Sequence, residues 1–249
     1  MFKFKSKLIV AVMLVVGVAA FMSCEKDDFV GNSMTPQEIN NAEICKMHNK
    51  VITSLKNTVS LKSAGNLSMD SYFENYLPVI EKTLIENDNE RYSNSLNLPE
   101  YKEVIKKINK LKSSSTNSEF ISYTSTFILD LKEKGYVSDY FYSELLMLSE
   151  KATLLSNEEL IQYLDSDFAA NISDEESNLK ELIVSMAKSS DELWNETNLK
   201  SAKALKPGSS TIIADAIGAL WGLPLGGVGS IIYGAAFSLY ENEVLSETY

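Results

Sequence analysis

Residues 216–240 read AIGALWGLPLGGVGSIIYGAAFSLY, 25 residues without a charge between Asp215 and Glu241. Six of the chain's 11 glycines fall inside this run. Small residues recur at every fourth position, at Ala214, Gly218, Gly222, Gly226, Ser230, Gly234 and Ser238, which on a helix stacks them into one ridge. The neighbouring row, Ile213, Ile217, Trp221, Leu225, Gly229, Tyr233 and Phe237, is almost wholly bulky, and the other two rows are apolar or small. A helix that is apolar all round has to be buried in protein or in lipid. A ridge of small side chains lets a second helix backbone come close. Pro224 and Gly226-Gly227 interrupt the run and leave two geometries open. One is a kinked single helix about 37 Å long, enough to cross a bilayer core of about 30 Å. The other is a helical hairpin turning between Leu223 and Gly227, with arms too short to span. Trp221 sits near the centre, away from where interfacial aromatic belts gather, which favours the hairpin.

Outward from this run, the break Lys206-Pro207-Gly208-Ser209-Ser210 separates a Gly-rich hydrophobic segment, 207–249, from an acidic body, 35–206. Helix-start signals recur through the body. Thr35-Pro36-Gln37-Glu38 offers an N-cap, a proline at the first helical position and a capping-box glutamate, and Ile44, Met47, Val51, Leu55 and Val59 follow at helical spacing. Ser156-Asn157-Glu158-Glu159 and Ser173-Asp174-Glu175-Glu176 repeat the capping box. Pro99 opens a further helix, Asn117 to Lys134 is another with Gly135 as its stop, and Ser138 to Leu155 another. Met69–Glu86 is apolar at helical spacing, with Pro78 expected to kink it or to start a new turn. No strand-length run alternates between turn residues. The pattern predicts an all-α, irregular multi-helix bundle, with six or seven helices and a hydrophobic Gly-rich C-terminal helix or helical hairpin.

The chain has 249 residues, 23 Lys and Arg against 34 Asp and Glu, and a net charge of −11. Such acidity argues against nucleic acid and against electrostatic docking on anionic lipid, while leaving hydrophobic insertion open. With one histidine (His48) and two cysteines (Cys24, Cys45), neither a His/Cys zinc site nor a His-based triad is expected. No nucleophile elbow, Walker loop or dinucleotide fingerprint is present. His48 lies on the apolar side of its helix and reads as a packed core residue. Asp165-Ser166-Asp167 reads as a solvated helix end, and Glu175-Glu176 and Asp191-Glu192 read as helix-start and surface charge. The expectation is a non-enzymatic protein without metal or cofactor.

Residues 1–23 are an export signal: Lys3, Lys5 and Lys7, an uncharged apolar run from Leu8 to Met22, then Ser23 before Cys24. Residues 24–34 form a tether. The stretch Phe21-Met22-Ser23-Cys24-Glu25-Lys26-Asp27-Asp28 resembles the lipoprotein signals of Bacteroidota. That resemblance implies acylation of Cys24, with Lys26, Asp27 and Asp28 as the signal for display on the outer face of the outer membrane. With Cys24 acylated, Cys45 has no intramolecular partner and reads as a buried thiol on a helix.

The spacing of the tail resembles the glycine-zipper segments of membrane-active, bacteriocin-like peptides. This resemblance implies that Gly218, Trp221, Gly222, Pro224, Gly226, Gly227 and Gly234 form either a membrane-active ridge or a buried core. Arg91, the single arginine, lies in the polar stretch Asn87–Asn97 and is a candidate site for proteolysis. The expected function is a lipid-anchored, surface-displayed protein acting on membranes, an antibacterial toxin activated by proteolysis. Its partners would be a membrane, a cell-surface receptor and an activating protease, with release from the cell surface as the alternative location. The rival expectation is a binding or scaffold lipoprotein whose hairpin is only its core.

Overall fold

The computed structural model describes residues 41–58, 69–88, 92–93, 117–196, 208–223 and 226–246. Cys24, Lys26, Asp27, Asp28, Arg91 and Pro224 lie outside the described residues, as do the helix starts expected at Thr35 and Pro99. Residues 38–249 form one compact unit. Its described elements are α1 (Asn41–Thr58), α2 (Met69–Asn87), α3 (Asn117–Glu133), α4 (Asp139–Ala152), α5 (Asn157–Ser166), α6 (Ser177–Glu196), α7 (Ser209–Gly222) and α8 (Gly226–Ser246). A 3-10 turn at Asp174–Glu176 precedes α6, and no strand occurs among the described residues. The fold is all-α.

Local chemistry sets the boundaries of the sheath helices. Ser156 caps α5 with a reciprocal capping box, its side chain accepting from the Glu159 N–H while the Glu159 carboxylate accepts from the Ser156 N–H at 2.9 Å. Ser138 caps α4 by accepting from the Phe141 N–H. Gly135, at φ +72°, closes α3, its N–H donating to the Lys132 carbonyl and the Tyr136 N–H to the Leu131 carbonyl. Those two bonds make a Schellman motif, which needs the left-handed conformation that glycine adopts freely.

Two expectations need correcting. Ser173 makes no cap bond to the backbone, and Glu176 is a buried acceptor rather than a surface charge. Its carboxylate accepts from the Ser138 N–H at 2.6 Å and from the Ser138 hydroxyl at 2.9 Å, so it fastens the start of α4 to the turn before α6. Of the two outcomes expected at Pro78, the start of a new turn does not occur: helix α2 runs on through it as a single element. Pro78 is exposed there, so its ring lies on the outer side of the helix.

The hydrophobic segment is the centre of the bundle. Of the two geometries, the chain adopts the hairpin: α7 ends at Gly222, α8 starts at Gly226, and the two arms pack on each other more extensively than any other pair. Every residue of α7 is buried, and every residue of α8 from Gly227 to Phe237. Helices α6, α3, α4 and α5 cover α7, while α1 and α2 cover α8. The small residues are what allow the arms to meet. A Cβ at Gly222 would fall on the carbonyl of Gly229 and the nitrogen of Ser230, and one at Gly218 on the Tyr233 backbone and the Phe237 ring. All of these separations are under 3.0 Å, closer than real Cβ atoms come.

Replacing Gly222 by alanine therefore sets side chain against backbone, which has no rotamer to yield. Gly222→Ala is expected to cost about 3 kcal/mol or more in urea unfolding. Gly234→Ala, whose Cβ would stand 3.0 Å from the His48 ring and 3.1 Å from the Asp215 carbonyl, is expected to cost less. Equal losses at the two positions would show that contact between the arms does not set the penalty.

Candidate functional site

The hairpin is held in its sheath by a small set of polar contacts at three heights. At its open end, the Ser209 hydroxyl lies 2.7 Å from the Leu155 carbonyl and 3.0 Å from the Asn157 side-chain oxygen, fixing the first turn of α7 to the connection between α4 and α5. Near the turn, the Trp221 indole N–H donates to Asp130 Oδ2 of α3 at 2.9 Å. Lys134 meets the same carboxylate oxygen at 2.6 Å. The indole body packs edge-on against Phe127 at 4.8 Å and Tyr233 at 4.9 Å between ring centroids, and Phe127 in turn meets Phe237 at 4.7 Å. Trp221 thus joins α3 to both arms.

The middle contact is the chemically unusual one. Asp215 lies on α7, one residue before the charge-free run, and it is fully buried. His48 of α1, also fully buried, brings Nε2 to 2.8 Å from Asp215 Oδ1. Ser190 of α6 donates its hydroxyl to Asp215 Oδ2. The other imidazole nitrogen, Nδ1, lies 3.1 Å from the side-chain oxygen of Asn49. That amide is oriented by its own NH2, which donates to the Ser189 carbonyl at 3.1 Å and the Ser189 hydroxyl at 2.9 Å. Both ring nitrogens therefore face acceptors, and only the imidazolium can donate to both. Burial pulls the His48 pKa down, but the Asp215 charge, the hydrogen bonds to Asp215 and Asn49 and a contact with the Gly234 backbone outweigh it, leaving it above the ordinary 6.5. Three helices and the backbone of a fourth converge on one ion pair.

This cluster contains a serine, an aspartate and a histidine without forming a hydrolytic triad. The carboxylate sits between the other two, so the Ser190 hydroxyl donates to Asp215 and no base faces it. All three side chains are fully buried, which leaves no approach for a substrate. Cys45, one turn before His48, is buried and free, and burial together with the Asp215 charge pushes its thiol up to about 12. Such a thiol is inert while the fold is intact. Two hollows open on the surface. One, of about 390 Å³, is polar and lies between α1 and α2 around Lys46, Lys50 and Asn87; the other, of about 210 Å³, is apolar and lies at Leu131, Leu179 and Leu223. Neither brings a nucleophile together with a base. Among the described residues, no three His, Cys, Asp or Glu side chains are grouped to hold a metal ion.

Of the sequence-derived site residues, Gly218, Trp221, Gly222 and Gly234 come together along the hairpin, and Gly226 and Gly227 open its second arm. Sequence reasoning took Asp215 as the border of the apolar run and missed that it is buried. A usable signal was present: a carboxylate inside a helix with no polar face needs a buried cation, and the chain's single histidine lies on an apolar face. Ser190 carried no such signal.

The raised His48 pKa fixes a sign for pH dependence. Stability from the pair is full below about pH 6.5, the unfolded value, and is lost as pH rises through the higher folded value. Asp215→Asn leaves burial to dominate, so His48 is held neutral and the slope should reverse, with stability falling as pH drops. Unfolding midpoints between about pH 6 and about pH 8 check this, a window below the titration of Cys45. His48→Ala leaves a buried carboxylate without its cation and is expected to cost about 3–5 kcal/mol. No family model, curated protein or solved structure matches this chain, and its arrangement has to be read from its own chemistry.

Proposed function

We propose that this chain is a lipid-anchored, surface-displayed, non-enzymatic protein that acts on membranes, an antibacterial toxin of bacteriocin type whose effector is the α7–α8 hairpin. The observation that carries this reading is the hairpin itself: two arms that are apolar all round beyond Asp215, covered on every described residue from Ser209 to Gly222 and from Gly227 to Phe237. An element of this kind has no polar face to present to water. Once it is uncovered, the same apolar area that holds it in the bundle drives it into lipid.

The N-terminal signal and Cys24 supply the second support. A chain already anchored by lipid in its own outer membrane gains little from a second apolar anchor there, which points the hairpin at a different membrane. The arms also constrain how it enters. No described helix is long and apolar enough to cross a membrane. The 14 residues of α7 measure about 21 Å, against a hydrocarbon core of about 30 Å. The hairpin therefore enters with its turn leading, and Asp215 and Glu241, which bound the charge-free run, stay together at the water side.

Release from the sheath is assigned to proteolysis after Arg91, the single arginine, with a cell-surface receptor selecting the target cell. The test is dye release from vesicles of phosphatidylcholine and phosphatidylethanolamine by the chain starting at Glu25, which retains the whole compact unit from Glu38. The protein is assayed intact and after Arg-specific digestion. Release after digestion alone is the expected result, together with quenching of Trp221 by brominated lipid in a Trp194→Phe background. Failure to release dye in either state, with the helical fold retained, would overturn the proposal. The hairpin would then be only the core of a binding or scaffold lipoprotein.

A further inference from the structure

We infer that α1 and α2 form an autoinhibitory lid over the second arm of the hairpin, fastened by the His48–Asp215 pair. The inference rests on the membrane-acting reading for its purpose, but not for its geometry. The sheath is divided. Helix α7 is covered by α3, α4, α5 and α6, which follow one another in the chain, whereas α8 is covered chiefly by α1 and α2, with Phe127 of α3 against its Phe237. Removing α1 and α2 would bare one face of α8 and, at Asp215, uncover α7 where His48 now sits, while α3 to α6 stay against α7.

Polar bonds that tie the lid to α6 and α7 gather at one place. His48 reaches Asp215 of α7 and lies over Gly234 of α8, where the missing side chain makes room for its ring at 3.0 Å. Asn49, the next residue, donates to Ser189 of α6. Beneath them Ile44, Cys45, Val51, Ile52 and Leu55 face inward as the apolar part of the contact. An ion pair suits a removable part better than apolar packing would. Buried ion pairs add little net stability over well-packed apolar groups, because both charges recover their hydration when the contact opens. The lid also ends before Arg91: α2 stops at Asn87, so a cut after Arg91 places all of α1 and α2 on one fragment, joined to the rest by non-covalent contacts that include the packing of α1 on α6.

The chain contains its own reporter. In protein starting at Glu25, Cys45 is the single thiol, and it lies on the inner face of the lid. Cys45 labelling by a thiol reagent and backbone hydrogen exchange of α1 and α2 are measured against urea concentration. For the wild-type chain we expect α1, α2 and Cys45 to open together at urea concentrations where α6 and α7 remain protected. For Asp215→Asn, which keeps the shape of the carboxylate, Cys45 labelling is expected to be at least tenfold faster in the absence of urea. An Asp130→Asn control, which loosens the hairpin at Trp221 instead, should leave Cys45 labelling tied to the wild-type rate.

Opening of α1 and α2 only with global unfolding would overturn the lid, and the wild-type measurement decides this even where Asp215→Asn fails to fold. Dye release with Cys45 still protected would overturn it as well. A lid that opens in Asp215→Asn without dye release upholds the inference and tells against the membrane reading instead, so the two failures are told apart.

Discussion

The rest of the structure depends on one constraint: residues 216–240 offer water no polar side chain that carries charge, and therefore have to be covered on every side. A two-helix unit with a single apolar face is covered by one neighbour, but a hairpin that is apolar all round needs a complete ring. Helices α1 to α6 supply that ring, and their amphipathic sequences follow from it. Each presents one apolar stripe inward and most of its charges outward, His48 of α1 being the exception. The close approach of the two arms at Gly218 and Gly222 reduces the area that the ring has to cover, since each glycine replaces a side chain with the backbone of the opposite arm.

Much of this arrangement was legible in the sequence because it depends on local chemistry. The four-residue period of small side chains marked the packing ridge, Ser156 and Glu159 marked the start of α5, and Gly135 marked the end of α3. Each is a statement about neighbours within one turn of backbone. What escaped was long-range. Glu176 looked like the last acid of an N-terminal cap, but Ser138, 38 residues away, claims its carboxylate. Pro78 offered a kink or a new start, because the sequence shows the missing donor and not that the helix runs on through it on an exposed side. Asp215 looked like a boundary, since a charge next to an apolar run is read as its edge until a partner is known.

That partner also explains why the aspartate is tolerated. An isolated buried carboxylate costs several kcal/mol, and Asp215 avoids this by accepting from His48 on one oxygen and Ser190 on the other. Pairing with an imidazolium has a consequence that a lysine or an arginine would not bring. The cation is one whose charge depends on pH near neutrality, so the tie between α1 and α7 responds to its environment.

The position of that tie is as informative as its chemistry. A polar cluster placed only to specify a unique packing would serve equally well between the two arms of the hairpin, where register has to be fixed. The arms instead meet through glycine, backbone and aromatic rings, and the described ion pair lies between the hairpin and its cover. The polar contacts at Ser209 and Trp221 follow the same rule, each running from α7 outward to the sheath. Cohesion within the hairpin is thus apolar and indifferent to solvent, while its attachment to the surrounding helices is polar and reversible. A bundle built in this way can lose its cover without losing its centre, whereas one with the two kinds of contact exchanged would come apart in the reverse order.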